Sequence, residues 1–199
     1  ALLAPTPALV AAAVQERLAL SIGFMPSTPS NGGVVVTIDA GAEWLAMSWV
    51  QSETKTLNKV KRFVSAVTGT VDAADATLTI FGDTAAGIPD NTAITGGGPV
   101  NADVAVTANT WPQWSGLTAA LTAGVRYWAT VKNVDLLPLT NNFTVRTGGT
   151  NTGGYTDGHQ TATAGWGWNR AVTADSGTNW GTSLGSNVVG IRLEYSDGS

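Results

Sequence analysis

The sequence predicts an all-β protein: an antiparallel β-sandwich, jelly-roll-like, preceded by a short N-terminal arm that is part helix, part extended chain. Three observations predict it. Apolar and polar residues alternate at period two in several short runs, the pattern of a strand with one face on a core. Clusters of Gly, Pro, Asn and Asp punctuate these runs. Beyond residue 33 no long helical segment interrupts the strands, as the crossovers of a parallel α/β sheet would require.

The arm comes first. Thr6 is placed as an N-cap with Pro7 at the favoured first helical position, which predicts a helix over residues 6–20. Leu9, Val10, Val14 and Leu18 form its apolar side, and Glu16 and Arg17 its wet side. Pro26 to Gly33 reads as a linker. The organisation expected is therefore an arm over 1–32 and a sandwich over 33–199. The arm either packs on its own domain or docks on a neighbouring subunit.

The strands follow. Val34, Val35, Val36 and Ile38 form a β-branched run, and residues 57–67 and 77–81 continue the pattern, with Leu78 and Ile80 on one face. Val125, Tyr127, Ala129 and Val131 alternate with Arg126, Trp128, Thr130 and Lys132. Val189, Ile191, Leu193 and Tyr195 alternate with Gly190, Arg192, Glu194 and Ser196. Trp44 and Trp49 are five apart, so a strand places them on opposite faces, one in the core and one covered by the arm or a neighbour.

Composition excludes several function classes. The chain has 199 residues, 43% hydrophobic and 12% charged, with 24 Gly, 8 Trp, one His and no Cys. Without Cys there is no disulfide framework, thiolate zinc site or Cys nucleophile. The net charge is −4, and the one basic cluster, Lys55, Lys59, Lys61 and Arg62, reads as a solvated strand face, so no nucleic acid is expected. No apolar run reaches the roughly 18 residues of a membrane span.

Catalytic chemistry has little to stand on. His159 sits in a polar Gly-rich loop, and no Gly-x-Ser-x-Gly elbow accompanies it. Glu43, Glu53 and Glu194 lack the context of paired glycosidase carboxylates. Asp72 with Asp75, and Asp83 with Asp90, flank turns and offer the oxygen ligands calcium takes, although turn aspartates more often cap their own backbone. No other cofactor is expected. The aromatic residues say more: Trp111, Trp114, Tyr155, Trp166, Trp168 and Trp180 lie in polar, Gly/Thr-rich surroundings. Indoles beside amide and hydroxyl groups are suited to stacking on sugar rings, and equally to packing in a core or interface. Asn142-Phe143-Thr144 matches a glycosylation sequon, read as idle.

Leu121-Thr122-Ala123-Gly124-Val125-Arg126-Tyr127-Trp128 is similar to the "L-x-A-G-x-x-Y-W" signature of choice-of-anchor-type β-sandwich domains of secreted bacterial and phage surface or tail proteins. Ala76 to Asp83 with Gly87-Ile88-Pro89, and Asp175 to Trp180, resemble two further turns of those modules, in matching order over about residues 55–195. The resemblance implies a jelly-roll-like sandwich on a virion or extracellular surface and carries no catalytic residue. The opening Ala1 to Pro7 lacks the basic region of a signal peptide, which favours the phage version. Within the signature, Gly124 is expected at positive φ, Tyr127 in the core with its hydroxyl on a loop carbonyl, and Trp128 on the opposite face. The function expected is a non-catalytic structural protein of a bacteriophage virion: a capsid decoration, head-fibre or tail-associated subunit. Its expected partners are its own copies and other virion proteins. The alternative is an extracellular carbohydrate-binding module, with a cell-surface glycan as ligand.

Overall fold

A computed structural model describes residues 33–149, 170–183 and 191–198. The arm, with Leu9, Val10, Val14 and Leu18, lies outside the described residues, as do Tyr155, His159, Trp166 and Trp168.

The described chain is all-β and antiparallel. Its strands are β1 (Gly33–Ile38), β2 (Trp44–Val50), β3 (Lys55–Arg62), β4 (Val64–Thr68), β5 (Ala76–Asp83), β6 (Pro89–Ala93), β7 (Val100–Asn101), β8 (Gln113–Trp114), β9 (Ala119–Leu121), β10 (Arg126–Asn133), β11 (Asn142–Gly149), β12 (Arg170–Thr173), β13 (Gly181–Ser183) and β14 (Ile191–Tyr195). The large sheet has the order β13-β12-β2-β10-β5-β6, with β7 also on β5. Two smaller sheets run β1-β11-β4 and β14-β3-β8, with β9 also on β3. The chain passes from β3 through Phe63 into β4, so one segment joins the two smaller sheets.

One core lies between the large sheet and the smaller two. The period-two pattern explains its membership. Leu45 and Trp49 of β2, Leu78 and Ile80 of β5, and Tyr127, Ala129 and Val131 of β10 point inward. Phe143 and Val145 of β11, Val60 of β3 and Leu193 of β14 meet them from the other side. The buried amide of Gln51 ties the layers together: its Oε1 accepts from Trp49 Nε1 at 2.9 Å and from Tyr195 Oη at 3.1 Å, and its Nε2 donates to Glu53 O at 2.7 Å. These partners offset the desolvation of an amide with no exposed surface.

The signature around residues 121–128 folds largely as its residues dictate. Gly124 has φ +80°, a conformation that an L side chain rarely adopts. Trp128 points away from the core, is fully buried, and donates Nε1 to Asp83 Oδ1 at 2.7 Å. Two details differ from expectation. The Tyr127 hydroxyl reaches a loop amide, not a carbonyl, accepting from Thr122 N at 2.9 Å. Val125 lies outside β10 and is exposed: it closes the turn at Gly124, its N donating to Thr122 O at 3.2 Å.

Candidate functional site

Trp111 and Trp114 part company. β8 pairs with β3 in the register Val60↔Trp114 and Lys61↔Gln113, so Trp114 shares the inward face of Val60 while Gln113 shares the outward face of Lys61. Trp114 is fully buried, with Nε1 donating to Ala76 O at 2.9 Å. The expectation of a ligand platform at Trp114 is thus corrected: it is a core residue. Trp111 stays at the surface, half-buried and edge-on against Phe63, with ring centroids 5.4 Å apart. Together with Lys61, Gln113 and Arg192 it lines a groove of about 240 Å³.

The electrostatics of this face follow from the register. Arg192 pairs with Lys61, and Glu194 with Lys59. Glu194 receives Lys61 Nζ at 2.6 Å, Lys59 Nζ at 3.2 Å and Arg192 Nε at 3.6 Å. Burial pushes the Glu194 carboxyl up, but the two lysines outweigh it and hold its pKa below the usual range. Asp103 behaves likewise: burial opposes ionisation, yet hydrogen bonds from Ser115 and Gln113 and the charge of Lys59 lower its pKa.

Trp180 belongs to a second aromatic group, on the outer face of the large sheet. Trp44 stacks on Phe81 at 6.5 Å and meets Trp180 at 6.2 Å. Lys132 Nζ lies 3.5 Å from the Trp44 ring centroid, within cation–π range, and burial lowers its pKa. Trp44 and Trp49 do face opposite ways: Trp49 is core, and Trp44 is covered by this cluster. The loop before Trp180 approaches so closely that a side chain at Gly177 (φ +87°) would meet Trp44 at 2.9 Å.

Asp175 organises that loop. It accepts from Thr173 Oγ1 at 2.6 Å, Asn179 N at 2.9 Å and Asn179 Nδ2 at 2.6 Å, and these bonds lower its pKa from 3.8 to about 2. A folded-state pKa below the unfolded value means that the stabilisation is present above about pH 4 and is lost as pH falls through about 2. A carboxyl NMR titration is expected to place the Asp175 midpoint near 2, and Asp175→Asn to remove this acid-dependent loss.

Three of the four calcium candidates, Asp75, Asp83 and Asp90, use a carboxylate oxygen within the fold. Asp75 Oδ2 accepts from Asp72 N at 3.0 Å, Asp83 takes the Trp128 indole, and Asp90 Oδ1 accepts from Thr92 N at 2.8 Å. Among the described residues no three His, Cys, Asp or Glu side chains come together as a metal site. Glu43 lies in the β1–β2 turn, where burial and its contact with Asp39 raise its pKa. Glu53 pairs with Lys55 at 3.3 Å. Asn142 of the sequon is buried in β11 and donates to Leu139 O. Among the described residues no helix is long and apolar enough to cross a membrane.

Two features were not expected. The first is Arg62, placed by the sequence on a solvated face. It is fully buried, and none of its three guanidinium nitrogens has a hydrogen-bond partner among the described residues. Burial lowers its pKa to about 9. The second is the loop between β10 and β11, where Val134, Leu136, Leu137 and Leu139 are 48%, 96%, 64% and 80% exposed. This loop is tightly tied. Asp135 accepts from Leu137 N at 2.5 Å and Asn141 Nδ2 at 3.1 Å, Leu137 O accepts the amides of Thr140 and Asn141, and Val134 N donates to Asp75 O at 2.7 Å. Asn133 Nδ2 donates to Ile38 O at 3.1 Å and Asn141 O at 2.7 Å, fixing the loop to the end of β1. The signal was legible as Val134-Asp135-Leu136-Leu137-Pro138-Leu139, an apolar stretch with turn residues inside it. No family model, no curated protein and no solved structure matches this chain.

Proposed function

We propose that this chain is a non-catalytic structural subunit of a bacteriophage virion (a capsid decoration, head-fibre or tail-associated protein) that works by assembling with copies of itself and with other virion proteins. The virion setting draws its support from the resemblance over residues 55–195. The assembly role draws its support from one observation, the pinned apolar β10–β11 loop. Clustered exposed apolar side chains on a soluble surface mark an interaction site. A loop already held by hydrogen bonds loses little further freedom on docking, so more of its burial counts towards affinity. The occupant proposed is a second copy. β1, tied to the loop through Asn133, is an end strand of its sheet among the described residues and carries Val35, 50% exposed. An end strand beside an apolar knob is a surface another copy can match by symmetry.

Leu136→Asp combined with Leu139→Asp is expected to shift the chain from oligomer to monomer on gel filtration while leaving its melting temperature within a few degrees of wild type. Both side chains are exposed, so a fall in melting temperature comparable to that of a core variant would contradict the assignment. An unchanged elution volume would contradict it too.

A second reading, an extracellular carbohydrate-binding module, is favoured by a different observation: the held indole of Trp111 beside Gln113 at an open groove.

A further inference from the structure

We infer that the Lys61–Trp111–Gln113–Arg192 groove binds a carboxylated saccharide, one sugar residue of the uronic or sialic acid type at a time. This rests on the carbohydrate reading and gives it a ligand class; it is independent of the apolar loop.

The argument starts from a row of side chains. Arg192, Lys61 and Gln113 are register partners across β14, β3 and β8, so they stand side by side on the outward face. Trp111, two residues before Gln113, closes one end of the groove. Lys59, Lys61 and Arg192 share Glu194, with Asp103 beside Lys59, so three cations stand against two carboxylates. This is a local positive site on a chain of net charge −4.

Each group has capacity left for a ligand. Arg192 turns only Nε towards Glu194, at 3.6 Å, and its two terminal nitrogens have no partner among the described residues. That pair is the planar fork that receives a carboxylate through two parallel hydrogen bonds. Lys61 adds an ammonium next to it. Gln113 donates Nε2 to Asp103 Oδ2 at 2.7 Å, which fixes its orientation and leaves Oε1 to accept from a hydroxyl. Trp111 is held edge-on by Phe63 and supplies the apolar surface on which a pyranose ring face packs. The groove, about 240 Å³, is smaller than the roughly 300 Å³ at which drug-sized pockets begin, in keeping with a single sugar residue. A neutral sugar would leave the Arg192 fork unused. A simple anion would leave the indole and the amide unused. A carboxylated saccharide uses all four.

The test is calorimetric titration of the full chain with trigalacturonate and with sialyllactose, each compared with its carboxylate methyl ester. Saturable binding of at least one acid is expected, about tenfold or more weaker for its ester. Arg192→Gln and Trp111→Ala are each expected to weaken binding by about tenfold or more, the loss of a charge-assisted hydrogen bond or a stacked ring. Arg192→Gln changes a partly exposed side chain, so it keeps the test decisive if Trp111→Ala disturbs the fold. Equal binding of acid and ester would overturn the carboxylate assignment and leave the carbohydrate reading standing. No binding of either acid or ester would overturn both. Wild-type affinity in the Arg192→Gln chain would place the site elsewhere. Equally tight binding of a thymidine oligonucleotide would mean that the groove reads phosphate, and would overturn the proposal.

Discussion

Trp114→Ala is expected to bring the protein to the edge of unfolding at room temperature. The indole is fully buried among Val60, Ala76 and their neighbours on both layers of the sandwich. Truncating a buried Trp to Ala costs about 3–5 kcal/mol, against a total stability of about 5–15 kcal/mol for a typical domain. The lost hydrogen bond adds less, because Ala76 O also accepts from Ala102 N at 2.9 Å and keeps a partner. The cavity therefore dominates, and Trp114→Phe, which refills most of it, is expected to recover more than half of the loss. Urea unfolding followed by circular dichroism checks both. An unchanged midpoint for the Ala variant would mean that this indole is not in the core.

Arg62→Met is expected to do the opposite and raise stability. A guanidinium without exposed surface, and without a hydrogen-bond partner among the described residues, carries the desolvation cost of a buried charge. An apolar side chain of similar volume removes that cost, for an expected gain of about 1–4 kcal/mol near pH 7. The pH dependence identifies the cause. Arg62 has a folded-state pKa of about 9, well below the ordinary guanidinium value it regains on unfolding. Below about pH 9 both states hold the proton and the penalty is constant. Above about pH 9 the unfolded state binds more protons, so wild-type stability rises with pH on account of this group. The gap between Arg62→Met and wild type should therefore be widest at neutral pH and narrow above about pH 9. A destabilised Met variant, or a gap that does not narrow, would contradict this account of Arg62.

The same two residues show what the sequence could convey. The all-β class was legible because period-two alternation survives in β5, β10 and β14, where Leu78, Ile80, Tyr127, Ala129, Leu193 and Tyr195 all turn inward. Arg62 was grouped with its neighbouring lysines by charge alone, and a local irregularity turns it inward. Tyr195 pairs with Leu57 and Glu194 with Lys59, leaving Asn58 as an extra residue on β3. Counting by twos from Leu57 puts Arg62 outside. The bulge shifts the parity, so that Leu57, Val60 and Arg62 all lie inside, and no residue type in Lys55–Arg62 announces it. Trp114 was within reach: Trp111 and Trp114 are three apart and cannot share a face of one strand, but β8 is only two residues long and reads as loop. The groove was half legible. Trp111 was named from its polar surroundings and Gln113 is two residues on, while Lys61 and Arg192 join them only through strand pairing between segments far apart in the chain, which single-sequence patterning does not encode.

Loss of assembly on charging the β10–β11 loop tests where copies meet; the mass of the unmodified chain tests whether they meet at all. Native mass measurement of the full wild-type protein over a rising concentration series addresses that claim most directly. A closed oligomer at an integral multiple of 20.4 kDa, persisting on dilution to micromolar concentration, is the predicted result. A species that remains at 20.4 kDa at every concentration would contradict it.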